Sequence, residues 1–278
     1  MIFSYILLLS QCPRVPLDKL ADMSNLQIAD MMRQPIIITN GMNQWNNMSI
    51  YTFDKEFGSH KILARRTHFA SHLDGDTFGT YMERSEKHKA KVQDVPHVSV
   101  SDFLLHSSSE HIILFDNEPG MSMEEELLLN SIRKLRKTPD VLSRASETLF
   151  FSFGGGTTGV NVANHGFTWI GLLRGRKLWY VAPPNVTKPN EPNCFRNITE
   201  SESIPHSFKC LQYPGEIFVT PTAWWHATCN LDQYGIGIGG QDSCDLGCNY
   251  EAKKGGPFCA NENMHYKCWN AETSHEEL

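Results

Sequence analysis

Cysteine and histidine carry most of the chemistry this sequence could perform. Eight cysteines stand beside twelve histidines in 278 residues. In a reducing compartment such a set points to metal or redox chemistry, and in an oxidising one to disulfides. Cys194 and Cys210 bracket one loop, and Cys229 sits alone in an apolar run. Cys244, Cys248, Cys259 and Cys268 crowd the tail. The gaps between those four are three, ten and eight residues, which do not form the paired knuckles of a structural zinc site. Gly154-Gly155-Gly156 lacks the Lys-Ser/Thr ending and the following helix of a phosphate loop, and reads as a turn between strands.

The chain ends bear on the compartment. Ile2 to Leu9 is a short apolar run followed by Ser10 and Cys12, the pattern of a secretory leader ending near residue 12. It is too short to cross a bilayer, and no other stretch reaches the needed length, so no membrane span is expected. The last four residues, His275-Glu276-Glu277-Leu278, resemble the retrieval signal of the endoplasmic reticulum lumen. A retrieval receptor is the partner that this terminus implies. Asn47, Asn185 and Asn197 each begin an Asn-x-Ser/Thr acceptor sequon. In that compartment, with Cys12 leaving in the leader, the other seven cysteines read as three disulfides and one buried thiol. Cys194 with Cys210 closes a loop, the tail four pair among themselves in one of three ways, and Cys229 is the thiol. The net charge of −6 and a pI near 6.0 exclude a nucleic-acid binder held by bulk electrostatics.

The elements that must position any site follow from periodicity. Pro35 to Asn40 is a β-branched buried strand, Tyr51 to Phe57 a short helix, and Lys61 to Ala64 a strand. A short helix is expected around Asp102 to His106, and a strand over His111 to Phe115. Ser122 to Lys137 is the clearest helix. Ser122 and Glu125 make a capping box, and Leu128, Ile132 and Leu135 form its apolar face. The basic residues Arg133, Lys134, Arg136 and Lys137 close it as a solvated helix end. From Leu149 the chain turns to short strands: 149–153, 169–173, 177–182, 216–220, 227–231 and 234–238. Short strands with turn chemistry between them predict a mainly β fold, an antiparallel barrel or jelly roll. Residues 185–207 read as a polar surface insert.

Three segments then line up. They are Asn161-Val-Ala163-Asn-His165-Gly166, Trp169-x5-Gly175-Arg-Lys177-Leu-Trp179 running into Pro183-Pro184, and Pro214-Gly-Glu216 running into Pro221-x-x-Trp224-Trp225-His226. Together they resemble the jumonji-C, cupin-like family of iron(II) and 2-oxoglutarate dependent oxygenases. Joined with the chain ends, they are most similar to the group found in the endoplasmic reticulum lumen. The resemblance covers roughly residues 35–241. It implies a double-stranded β-helix with an N-terminal part over 35–148 and a barrel core over 149–241. Residues 1–12 are then the leader, and 242–278 a cysteine-rich tail.

The resemblance also implies a site. Family members hold iron(II) with His-x-Asp/Glu/His on one strand and a distal His across the barrel. His165 falls at the second position of that pair and His226 at the distal one. Lys177 matches the lysine that pairs the far carboxylate of 2-oxoglutarate. Gln241 falls where related hydroxylases place a pocket Asn. The sequence departs from the pattern at Ala163, which occupies the first ligand position and has no donor atom. Val160 and Ile170 depart from a cosubstrate Thr and Asn of some relatives. Two functions follow. One is a lumenal hydroxylase of protein side chains using iron(II) and 2-oxoglutarate. The other is a catalytically inactive barrel that binds a lumenal protein. Water, Asn161, Asn164 or His68 are the candidates to fill the missing ligand position.

Overall fold

A computed structural model describes residues 11–42, 49–63, 97–102, 111–115, 123–135, 139, 142, 148–155, 158–160, 162–164, 166–189 and 204–241. Among these, twelve strands and four helices follow one another. The N-terminal part runs β1 (Arg14–Pro16), α1 (Leu17–Ala21), α2 (Asn25–Met31), β2 (Ile36–Thr39), α3 (Ile50–Phe57), β3 (Lys61–Leu63), β4 (His97–Ser99), β5 (His111–Phe115) and α4 (Met123–Leu135). The barrel strands are β6 (Thr148–Gly155), β7 (Thr168–Arg174), β8 (Lys177–Ala182), β9 (Phe208–Gln212), β10 (Ile217–Thr220), β11 (Trp225–Asn230) and β12 (Tyr234–Gln241).

A seven-stranded sheet in the order β1-β2-β10-β7-β12-β6-β5 faces a three-stranded sheet in the order β11-β8-β9, and β3 and β4 form a separate pair. This is a jelly-roll, cupin-like architecture, mostly β with few helices. The large sheet is buried on both faces, which accounts for the unbroken Ile36-Ile37-Ile38 run in β2. Ile36 and Ile38 join Trp169, Phe151 and Phe153 in a core that also takes Leu20 and Met32 from the α1–α2 region, Phe53 and Phe57 from α3, and Leu128 and Ile132 from α4. Ile37 points the other way. It clusters with Phe218, Ile170 and Phe150 against Trp179, Val181 and Cys210 of the small sheet. That second cluster is the barrel interior. Gly239 lies in the same cross-strand row as Phe150, Ile170 and Phe218. A Cβ there would come within 2.2 Å of the Phe150 ring, so only glycine fits.

The two sheets meet along two seams. On one, the segment just before the outer strand β1 is joined to the outer strand β9 by a disulfide between Cys12 and Cys210. This corrects the expectation that Cys210 pairs with Cys194; its partner is Cys12, which the sequence assigns to the end of the leader. Ile37 N–H donates to the Pro13 carbonyl (2.8 Å), so the segment beside Cys12 is already part of the folded sheet edge. Arg14 reinforces the seam, donating to the Leu211 carbonyl, pairing with Glu216 and lying over the Tyr213 ring. Cys229 is also disulfide-bonded rather than a free thiol. Its partner lies outside the described residues, as do Cys194, Cys244, Cys248, Cys259 and Cys268.

On the other seam, the chain between β6 and β7 pairs with β11. Asn230 N–H donates to the Thr158 carbonyl (2.7 Å) and Thr228 N–H to the Val160 carbonyl (3.0 Å). Gly159 is required there, since a Cβ would stand 1.7 Å from the Thr228 carbonyl oxygen. The sequence reading missed β1, α1, α2, β4 and β9. The Ser24-x-x-Gln27 capping box that opens α2 was legible; β9, with the sequence Phe-Lys-Cys-Leu-Gln, has no apolar run to announce it. Of the helix expected over 102–106, only Asp102 is described, and it is helical.

Candidate site in the barrel interior

The register of β11 on β8 sets His226 opposite Val181, Thr228 opposite Trp179 and Asn230 opposite Lys177. Side chains alternate with a period of two along a strand, so all six share one face. Trp179 and Val181 belong to the interior cluster, so His226 and Lys177 face the barrel interior too. They are separated by four strand positions, about 13 Å along the strand.

Trp179 stands between them. Its ring centre is 6.4 Å from that of His226, and the Lys177 ammonium lies 5.8 Å from the indole. Two further contacts fix the indole. It stacks on Phe218 at 4.0 Å and donates Nε1–H to Gln212 Oε1 at 2.9 Å. Gln212 in turn donates to the carbonyls of Ile170 and Glu216 (2.8 and 2.9 Å).

His226 is 4% exposed. Its Nδ1–H donates to the Trp224 carbonyl at 2.9 Å, which leaves Nε2 unprotonated as an acceptor or ligand. Burial lowers the imidazole pKa, which favours the neutral ring. The ring is therefore set as a metal-binding histidine would be. Ala223, three residues before it, holds a left-handed backbone (φ 61°) in the turn that leads into β11.

The partner position is the critical one. Ala163 forms a β-bridge with His226, with Ala163 N–H donating to the His226 carbonyl (3.0 Å) and His226 N–H to the Ala163 carbonyl (2.8 Å). Directly opposed residues of this kind project from the same face, about 5.5 Å apart at Cα. A side chain at 163 is thus the natural neighbour of the His226 imidazole, and here it is a methyl group. His165, Asn161 and His68 lie outside the described residues. Among the described residues no group of three His, Cys, Asp or Glu converges on a point. The described donors do not fit a three-ligand iron site: His226 is correctly oriented, and the position beside it supplies nothing.

Lys177 is 2% exposed, and its Nζ meets only the Ser152 hydroxyl at 3.4 Å among the bonds described. Burial lowers its pKa to about 8. Asn230, across from it, is 1% exposed, with Nδ2 donating to Thr158 Oγ1 (3.3 Å) and Oδ1 without a partner among the described residues. Gln241 is half-buried at the end of β12 and pairs with Thr168, which pairs with Thr220. Those three lie two positions from the Gly239, Ile170 and Phe218 row, hence on the interior face. Phe218 marks the level of Trp179, and Ser152 marks that of Lys177 at the other end. Gln241, Thr168 and Thr220 therefore form a polar row at the His226 end of the barrel. Ile170 fills its position with buried hydrocarbon.

The structure thus places His226, Lys177 and Gln241 on the interior faces of the barrel, at different levels. The sequence reading missed Thr168, Thr220, Ser152, Thr228, Asn230 and Gln212. Stepping by two from His226 along its strand would have found Thr228 and Asn230. Of the three sequon asparagines, Asn185 is exposed in the turn after β8, whereas Asn47 and Asn197 lie outside the described residues.

No protein-family model matches the chain. Curated relatives do. A human protein named JmjC domain-containing protein 8 is 33% identical over 90 residues, which is 30% of this chain and 34% of the relative. The mouse protein of the same name is 34% identical over 90 residues, and the rat one 31% over 103, covering 38% of the relative. The matches span little more than a third of the relatives' length. This similarity, joined to the jelly-roll fold, supports a distant relationship of this chain to the jumonji-C proteins.

Proposed function

We propose that this chain is a jumonji-C-like barrel of the endoplasmic reticulum lumen that binds a lumenal protein and does not run the oxygenase reaction. The observation that carries this reading is the bridge between Ala163 and His226, which puts a methyl group where a third ligand would stand. Two imidazoles, His165 and His226, are one ligand short of the usual facial triad, and affinity falls with ligand count. The lumenal part rests on the leader-like start, the His-Glu-Glu-Leu end and the sequons. The Cys12–Cys210 bond favours the same oxidising compartment. The terminus would engage a retrieval receptor.

A second reading, a protein side-chain hydroxylase, draws support from the orientation of His226 and the buried Lys177. In that case Lys177 and Gln241 would line the 2-oxoglutarate pocket. Succinate release from 2-oxoglutarate separates the two. With iron(II), ascorbate and candidate lumenal peptides, the wild type and His226→Ala are expected to release succinate at the same background rate. A clear excess in the wild type that His226→Ala abolishes would establish the hydroxylase instead.

A further inference from the structure

We propose that Asn185 carries an N-linked oligosaccharide that stands at the rim of the barrel on the His226 side and shields that rim from other polypeptides. The inference rests on the lumenal reading above. Asn185-Val186-Thr187 is an acceptor sequon, and both Asn185 and Thr187 are exposed. The turn that presents them is firmly held. Pro183 and Pro184 restrict the backbone before it, and Val186 N–H reaches back to the Pro183 carbonyl (3.5 Å). Trp225 Nε1–H donates to the Val186 carbonyl at 3.2 Å. Trp225 is the first residue of β11 and pairs with Ala182, the last of β8. His226 follows it directly. The sequon therefore sits at the end of the barrel where His226, Thr168, Thr220 and Gln241 lie, with its acceptor amide turned to water.

The covalent step is a glycosyl transfer from a lipid-linked glycosyl diphosphate of the lumen. The Asn185 amide nitrogen displaces the diphosphate at the anomeric carbon. The N–C bond forms as the C–O bond breaks, the diphosphate leaves with the electron pair, and the amide proton passes to solvent. The product is a large hydrated group beside Trp225. A protein partner would then have to dock on another surface of the barrel.

The test expresses the full chain in the secretory pathway and compares wild type with Asn185→Gln, Thr187→Ala, Asn47→Gln and Asn197→Gln by electrophoretic mobility, before and after endoglycosidase. Asn185→Gln and Thr187→Ala are expected to lose the same single glycan. If both migrate with the wild type while another sequon variant shifts, Asn185 is unmodified and the inference fails with the lumenal reading intact. If endoglycosidase moves none of the forms, the inference also fails. Protection of the chain from protease in intact microsomes then decides whether the lumenal reading fails as well. Removing the glycan from the folded chain is expected to speed subtilisin cleavage within 184–188, and unchanged cleavage would overturn the shielding role.

Discussion

Cys12→Ser is expected to lower the stability of the chain by about 2–5 kcal/mol, with the upper end favoured by the size of the loop. The bond joins residues 198 apart in sequence, so its loss releases nearly the whole domain from one covalent restraint. It also ties the segment just before the outer strand β1 to the outer strand β9, and both cysteines are buried, at 6% and 1% exposure. The Arg14 interactions hold the same seam, but they are exposed and contribute little by comparison. Urea unfolding under non-reducing conditions measures the effect. The Cys12→Ser midpoint should fall well below that of the wild type, and dithiothreitol should lower the wild-type midpoint markedly. A Cys12→Ser midpoint equal to that of the oxidised wild type would mean that the bond does not close the barrel.

Lys177→Met is expected to stabilise the chain by roughly 2–3 kcal/mol at neutral pH. Burial lowers the ammonium pKa from 10.5 to about 8, with no carboxylate described beside it. The unfolded chain holds its proton more tightly than the folded one, so between about pH 8 and 10.5 it carries more protons. The penalty from Lys177 is therefore complete below pH 8, shrinks as pH rises through that window and is gone above it. Methionine is similar in length, apolar and adaptable, so it fills the same space without the charge. The advantage of Lys177→Met should be large at pH 7 and vanish by about pH 10.5. A difference in stability that stays constant across that range would contradict a buried cation with no counter-ion among the described residues.

Much of the fold was legible because strand signals depend on local patterns. Lys177–Ala182 forms a strand with the expected bounds, and the Ile36–Thr39 run is buried on both sides as β-branched continuity implies. The helix expected over 122–137 forms over Met123–Leu135. What was not legible depends on contacts between distant parts of the chain. Cys12 lies in a stretch that reads as a leader, and only the adjacency of β1 and β9 reveals Cys210 as its partner. Cys229 sits in an apolar strand like a packed thiol, and its bond is equally invisible from spacing. For the site, motif spacing pointed to His226, Lys177 and Ala163. The opposition of Ala163 and His226 across a bridge is a matter of register, which the sequence does not print. The polar row of Thr168, Thr220 and Gln241 also arises only when β10, β7 and β12 are aligned.

The central claim is that Ala163 leaves the barrel one ligand short of holding iron. Anaerobic titration of the purified chain with iron(II), followed with and without 2-oxoglutarate, tests it when run on wild type, His226→Ala and Ala163→His. The wild type should bind weakly and differ little from His226→Ala. Ala163→His, which supplies an imidazole on the strand directly opposite His226, should gain at least about tenfold in affinity, or 1.4 kcal/mol. Tight, stoichiometric binding by the wild type that His226→Ala abolishes and Ala163→His does not improve would contradict the account.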